Sequence, residues 1–148
     1  MKRIGLLVCS KRKKLDEKSH NKCRAEDMYL GSVFLKAKNE GLKRFCCEDW
    51  HILSSKYYLL DRATEIPYYD MYLPEQSCEY KNDWNRQVLV RLNDLYDLKH
   101  DVFYIFGDQN YYENLITHLN CVIFNCENGN LDFYTFTEYK NGETHDFI

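Results

Sequence analysis

The chain has 148 residues, 45% of them hydrophobic and 29% charged, with a formal charge of -3. That is the length of one domain and the composition of an ordinary soluble one. The charge excludes wholesale coating of a nucleic-acid backbone, although a local basic patch stays open.

No apolar run approaches the ~20 residues that span a bilayer, and the run after Met1-Lys2-Arg3 is about half a secretory h-region. A cytoplasmic chain with no membrane partner is expected. The 7 cysteines are an odd number and none stands in Cys-x-x-Cys spacing, which points to reduced, mostly buried thiols. No pattern calls for a metal ion or a cofactor.

In chain order, Arg3 to Ser10 is a continuous apolar run, as expected of a strand covered on both faces. It empties through Cys9 and Ser10 into Lys11-Arg12-Lys13-Lys14, which reads either as an anion site or as a solvated basic loop. Leu15 to Arg24 has no periodicity and reads as loop. Between Ala25 and Arg44, Val33, Phe34 and Ala37 form a helical stripe, with Ser32 as N-cap, an end near Lys43 and a turn over Asp27 to Leu30 before it. Trp50 to Leu53 is a second buried strand and breaks into Ser54, Ser55 and Lys56. Asp61 to Ser77 holds Pro67 and Pro74 and is expected to be irregular.

Tyr80 to Leu98 carries the strongest helical pattern, with Trp84, Val88, Leu92 and Leu95 on one face and Leu89 and Tyr96 widening it, all read as core. Val102 to Phe106 is a third strand. Gly107-Asp108-Gln109 turns it into a helix through Leu119 that carries Tyr111, Leu115 and Leu119 on one side. Cys121 to Phe124 is a fourth strand. Leu131 to Lys140 is β-rich, Asn141-Gly142 is a hairpin dipeptide and Thr144 to Ile148 is the expected return strand. The alternation predicts an α/β fold: a three-layer, mostly parallel sheet flanked by helices, one domain over 1–148 with a hairpin appendage at 128–148. A hairpin is marginal alone and must pack on this domain or on another chain; a homo-oligomer is expected.

Three strand ends then meet at one edge, bringing Cys9, Ser10 and Lys11 beside Ser54, Ser55 and Lys56 and beside Gly107, Asp108 and Gln109. Lysines, hydroxyls and a glycine turn in one crevice suit a phosphate or a heterocycle with polar edges, and Tyr57, Tyr69 or Tyr111 offer a stacking face. The bland alternative is a set of loop residues satisfying backbone groups. The chain has no P-loop, no dinucleotide glycine fingerprint, no nucleophile elbow and no zinc-deaminase signature. Asp61, Asp70 and Asp108 are the acids best placed to act on water, though Asp70 equally suits a turn cap after Pro67. Cys9 beside cations is either an activated thiol or an inert one. His51, inside a strand, reads as buried or at an edge.

The motifs Val8-Cys9-Ser10-Lys11-Arg12-Lys13, Ala25 to Phe34 with Tyr29 and Gly31, Leu53 to Asp61, Tyr69-Asp70, and Phe106-Gly107 with Tyr111 and Leu115 resemble a small uncharacterised family of bacteria and phages. Its motif order is Cys-x-Lys-Lys, Tyr-x-Gly-x-x-Phe, Leu-Ser-Ala-Lys-x-Gly-Leu, Tyr-Asp and Gly-x-x-Tyr. That family is distantly similar to the uracil-DNA-glycosylase-like α/β domains found with 7-deazaguanine tRNA-modifying enzymes, which implies a base or nucleotide pocket. Two departures stand out: Tyr58 replaces the usual Gly after the Lys, and the usual C-terminal glycine-and-helix segment gives way to the expected hairpin.

Together these readings favour a binding protein for a nucleotide- or nucleobase-derived small molecule, of the kind that could sequester a host signalling nucleotide. Lys11, Lys13 and Lys56 would face anionic groups, Ser10 and Ser54 would donate, Tyr29, Tyr57 and Tyr69 would stack, and Asp61 or Asp108 would hold ring or ribose groups. Cys9, Gly31, Gly107 and Tyr111 complete the expected lining. The alternatives are a glycosidase or hydrolase in which Asp70 or Asp108 activates water, and a protein-interaction module using the aromatic tail. Nucleic acid as partner is not favoured.

Overall fold

The computed structural model describes residues 1–140 and 143–145. It is an α/β fold built on one seven-stranded sheet of order β4-β3-β1-β6-β7-β8-β9 and a two-stranded sheet, β2-β5. The strands are β1 Arg3–Val8, β2 Lys22–Arg24, β3 Asp49–Ser54, β4 Tyr58–Asp61, β5 Glu65–Pro67, β6 Val102–Phe106, β7 Asn120–Glu127, β8 Asn130–Lys140 and β9 Glu143–His145. The helices are α1 Ala25–Met28, α2 Ser32–Lys36, α3 Leu42–Arg44, α4 Cys78–Leu95 and α5 Gln109–Tyr112.

The four central strands, β3, β1, β6 and β7, run parallel; Val8 stands opposite Leu53 on one side, and Leu7 opposite Phe106 on the other. Antiparallel strands close both flanks. Alternation along β1 divides the sheet's apolar residues between two cores. Ile4, Leu6 and Val8 pack with Trp84, Val88 and Leu92 of α4, whereas Leu7 packs with Ala25, Met28, Phe34 and Ala37. Period-2 side-chain direction in a strand covered on both faces produces this division. Each fully buried Leu, Val or Phe contributes about 1.5–3 kcal/mol of transfer free energy.

The helix after Gly31 runs without a break from Ser32 to Arg44. α2 continues through a π-helical turn, Ala37–Gly41, into α3. It ends in a Schellman arrangement: Cys46 N–H donates to the Lys43 carbonyl and Cys47 N–H to the Leu42 carbonyl, with Cys46 at φ 54. The expected α4 region starts earlier and stops sooner. Ser77 caps it, its hydroxyl accepting from Tyr80 N–H at 3.1 Å, and it ends at Leu95, which is 40% exposed rather than core. The expected helix to Leu119 is broken into α5 and a 3₁₀ turn, Ile116–His118. Tyr111 and Tyr112, both within α5, are buried, as are Leu115 and Leu119 on either side of the 3₁₀ turn.

Three short strands lie where the sequence predicts none. β4 pairs with β3 through a tight turn in which Tyr58 has φ 62, a left-handed conformation that favours glycine. β2 and β5 pair antiparallel, Lys22 opposite Pro67. The C-terminal hairpin is β7–β8, whose turn is Asn128-Gly129 with φ 52 and 77, the backbone of a two-residue hairpin loop. Asn141-Gly142 and residues 146–148 lie outside the described residues; Lys140 opposite Glu143 joins β8 to β9.

At the far side of β3 from its Ser54 end, Tyr96 Oη donates to Asp49 Oδ2 at 2.5 Å and lies 2.5 Å from His51 Nε2. His51 is 7% exposed, and burial holds its imidazole below the ordinary 6.5 despite the nearby Asp49 and Asp61 carboxylates. Burial works against charge on Asp49, but hydrogen bonds from Tyr96 and Trp50 N–H hold it below its usual range.

Two outcomes follow from these contacts. Cys46→Gly removes left-handed strain at an exposed helix end and is expected to raise stability by about 1 kcal/mol in chemical denaturation. Because folded His51 binds its proton less readily than the unfolded chain, its contribution is present above about pH 6.5 and is lost as pH falls. His51→Gln is therefore expected to flatten the stability profile between about pH 6.5 and 5, measured by urea midpoints; an unchanged slope would refute the assignment.

Candidate functional site

The chain leaves β1 towards β3 on one side and later enters β6 on the other, so the strand order reverses between β1 and β6. The loops after these two strands part there and leave a crevice at the carboxyl edge, the usual ligand position in open α/β sheets. Two clefts open at this point, of about 920 Å³ and about 570 Å³, and they share Cys9, Ser10 and Asp108.

Backbone geometry fixes the crevice walls. Gly107, at the end of β6, has φ 127, and a Cβ there would lie 2.6 Å from Val8 Cβ, so only glycine lets β6 turn away this close to β1. On the other wall Gly31 N–H donates to Ser10 Oγ at 3.1 Å, and a Cβ on Gly31 would lie 2.6 Å from Ser10 Cβ. Ser10 Oγ donates in turn to the Arg12 carbonyl at 2.8 Å. The basic loop is pinned by Lys14 N–H to the Met28 carbonyl and Leu30 N–H to the Arg12 carbonyl.

The larger cleft runs from Gly31 and Ser32 across Gly107 and Asp108 to β7 and β8, where Asn125, Thr135 and Thr137 form its far wall. Phe34, Tyr112 and Phe136 give it apolar faces. Of its lining residues, Cys126 is a thiol that burial keeps protonated. The smaller cleft lies between Lys11 and Lys13 on one side and Asp70, Met71 and Tyr72 on the other, with Tyr111 and Glu75. Lys13 is half-buried; its ammonium donates to the Lys11 carbonyl at 3.3 Å and lies 4.8 Å from the Tyr69 ring centre. Burial lowers its pKa, while Cys9 and Asp70 favour the charged form. Asp108 caps α5, Oδ1 accepting from Asn110 N–H at 3.0 Å, and its Oδ2 accepts from Tyr72 Oη at 2.9 Å. That hydrogen bond is the main cause raising the Tyr72 pKa. Tyr111 is buried, its hydroxyl accepting from Leu73 N–H at 3.4 Å.

Of the residues expected to line a site, Cys9, Ser10, Lys11, Lys13, Gly31, Asp70, Gly107, Asp108 and Tyr111 line one or both clefts. Tyr29, Ser54 and Tyr69 stand beneath as a buried chain: Tyr29 Oη lies 2.6 Å from Tyr69 Oη, which lies 2.9 Å from Ser54 Oγ. Burial raises the pKa of both tyrosines, which stay neutral hydroxyls. Tyr57 packs edge-on against Tyr69 with ring centres 5.5 Å apart, and Lys56 is exposed over the Tyr57 ring; neither lines either cleft. Asp61 pairs opposite His51, at the other end of the β3–β4 ladder from Ser54.

Sequence reading missed the β7–β8 wall and Tyr72. β7 continues three residues past Phe124, to Glu127, where an exposed, half-buried, exposed alternation replaces the apolar run. The dipeptide Asn128-Gly129 was the available signal. Tyr72 gave none, since its role depends on a contact 36 residues away.

Among the described residues no three His, Cys, Asp or Glu side chains converge as a metal site would require, and no described helix is long and apolar enough to cross a membrane. No curated protein matches the chain, and no solved structure does. A family model matches residues 4–131, spanning the central strands and both glycine turns but not the β8 wall of the larger cleft, and the chain belongs to this family of unknown function (DUF6884).

Proposed function

We propose that the chain binds a nucleotide- or nucleobase-derived small molecule in the crevice between the loops after β1 and β6. The observation that carries this reading is the meeting of two clefts at Cys9, Ser10 and Asp108 on the strand-order reversal. The larger cleft offers amide and hydroxyl groups from Asn125, Gln109, Thr135 and Thr137 beside aromatic faces, which suits a heterocycle with polar edges. The smaller offers lysines for an anionic group. The sheet then acts as the middle of three layers, and the resemblance to uracil-DNA-glycosylase-like domains reflects a shared way of holding a base. On this reading the chain works in the cytoplasm as a homo-oligomer and sequesters a signalling nucleotide.

Asp108 is held by two accepted hydrogen bonds, from Asn110 N–H and Tyr72 Oη, and each of its oxygens keeps a further acceptor site for a ligand. The test is mass spectrometry of small molecules released by heat from the purified protein, with titration of the compounds found. Asn125→Trp fills the larger cleft from an exposed wall position and is expected to weaken binding more than about tenfold, about 1.4 kcal/mol, without lowering the melting temperature. A protein that carries nothing and binds no nucleoside or nucleotide would overturn the proposal.

A further inference from the structure

We infer that the ligand carries a single phosphate, or one comparable anionic group, seated against Lys13 with its ring and hydroxyls in the larger cleft. This rests on the binding reading above and names the ligand class within it. Among the described residues the larger cleft is lined by no Lys, Arg or His, and by three carboxylates, Asp108, Glu113 and Glu127. Such a wall accepts from ring amino groups and ribose hydroxyls and repels phosphate. The smaller cleft has two cations, Lys11 and Lys13, facing Asp70, Glu75 and Asp108.

Lys13 is the group left incomplete. It is half-buried, it donates to one neutral carbonyl, and none of the ion pairs among the described residues involves it. A partly desolvated ammonium without a contacting counter-ion gains most from an anion that hydrogen-bonds it directly. Lys11 is the one other cation among the described residues that line this cleft. A second or third phosphate would add charge opposite three carboxylates, within walls that strengthen the repulsion.

The test is calorimetric titration of the full chain with the four common ribonucleosides, their 5′-mono-, di- and triphosphates and their cyclic monophosphates, repeated with Lys13→Gln. A linear or cyclic monophosphate is expected to bind at least about tenfold tighter than its nucleoside and its triphosphate. Lys13→Gln is expected to reduce the monophosphate to the affinity of the nucleoside and to leave the nucleoside unchanged. A triphosphate that binds as tightly as the monophosphate would overturn the inference alone, as would a variant that weakens nucleoside and monophosphate by the same factor. If Lys13→Gln does not fold, the order of affinities in the unaltered protein decides. Binding of none of these compounds would overturn the reading beneath it and the inference with it.

Discussion

Ser54 is fully buried at the carboxyl end of β3, and a buried polar residue must have its hydrogen bonds met inside the protein. Its hydroxyl accepts from Tyr57 N–H at 3.0 Å and Lys56 N–H at 3.3 Å and lies 2.9 Å from Tyr69 Oη. Its carbonyl accepts from Trp84 Nε1 at 2.7 Å. The neighbouring Ser55 adds a hydroxyl bond to the Met71 carbonyl and a carbonyl bond from Tyr80 Oη. One serine pair thus holds the β3–β4 turn, the start of α4 and the 69–71 segment in a single arrangement. That segment is a wall of the smaller cleft, so its shape depends on satisfied donors beneath it.

The same logic explains why Tyr29 and Tyr69 are not ligand faces. Each hydroxyl is spent on the buried chain to Ser54, and their rings are covered. They act on the crevice from below: Lys13 rests over the Tyr69 ring and pairs in backbone with Tyr29 as an isolated antiparallel bridge. The aromatic floor therefore supports the cation that the proposed ligand meets.

The central strands were legible in the sequence because burial on both faces leaves continuous apolar runs, as at Ile4 to Val8 and Val102 to Phe106. The glycine at 107 was legible as a strand-to-helix turn. Short elements were not. β2, β4 and β5 are only three or four residues long and owe their existence to partners far along the chain, such as Lys22 with Pro67. Asp61 was misplaced because the motif runs forward from β3, but β4 turns back antiparallel and carries Asp61 to the opposite edge; Lys56 stays in the turn beside Ser54, exposed over the Tyr57 ring. Nearness in sequence to a strand end does not survive a hairpin.

The ladder between β7 and β8 is interrupted once. Phe124 pairs with Phe136, yet the next residue, Asn125, pairs with Asp132, so residues 133–135 have no partner on β7. Phe133 is buried among Phe45, Phe106 and Phe124, while Tyr134 is 80% exposed and Thr135 borders the larger cleft. Bulges of this kind absorb a change of length locally. A residue gained or lost beside Tyr134 would resize one side of the cleft while the parallel strands kept their register. If the crevice binds as proposed, ligand choice and folding are carried by separable stretches of chain, and a lineage could retune the first without rebuilding the second.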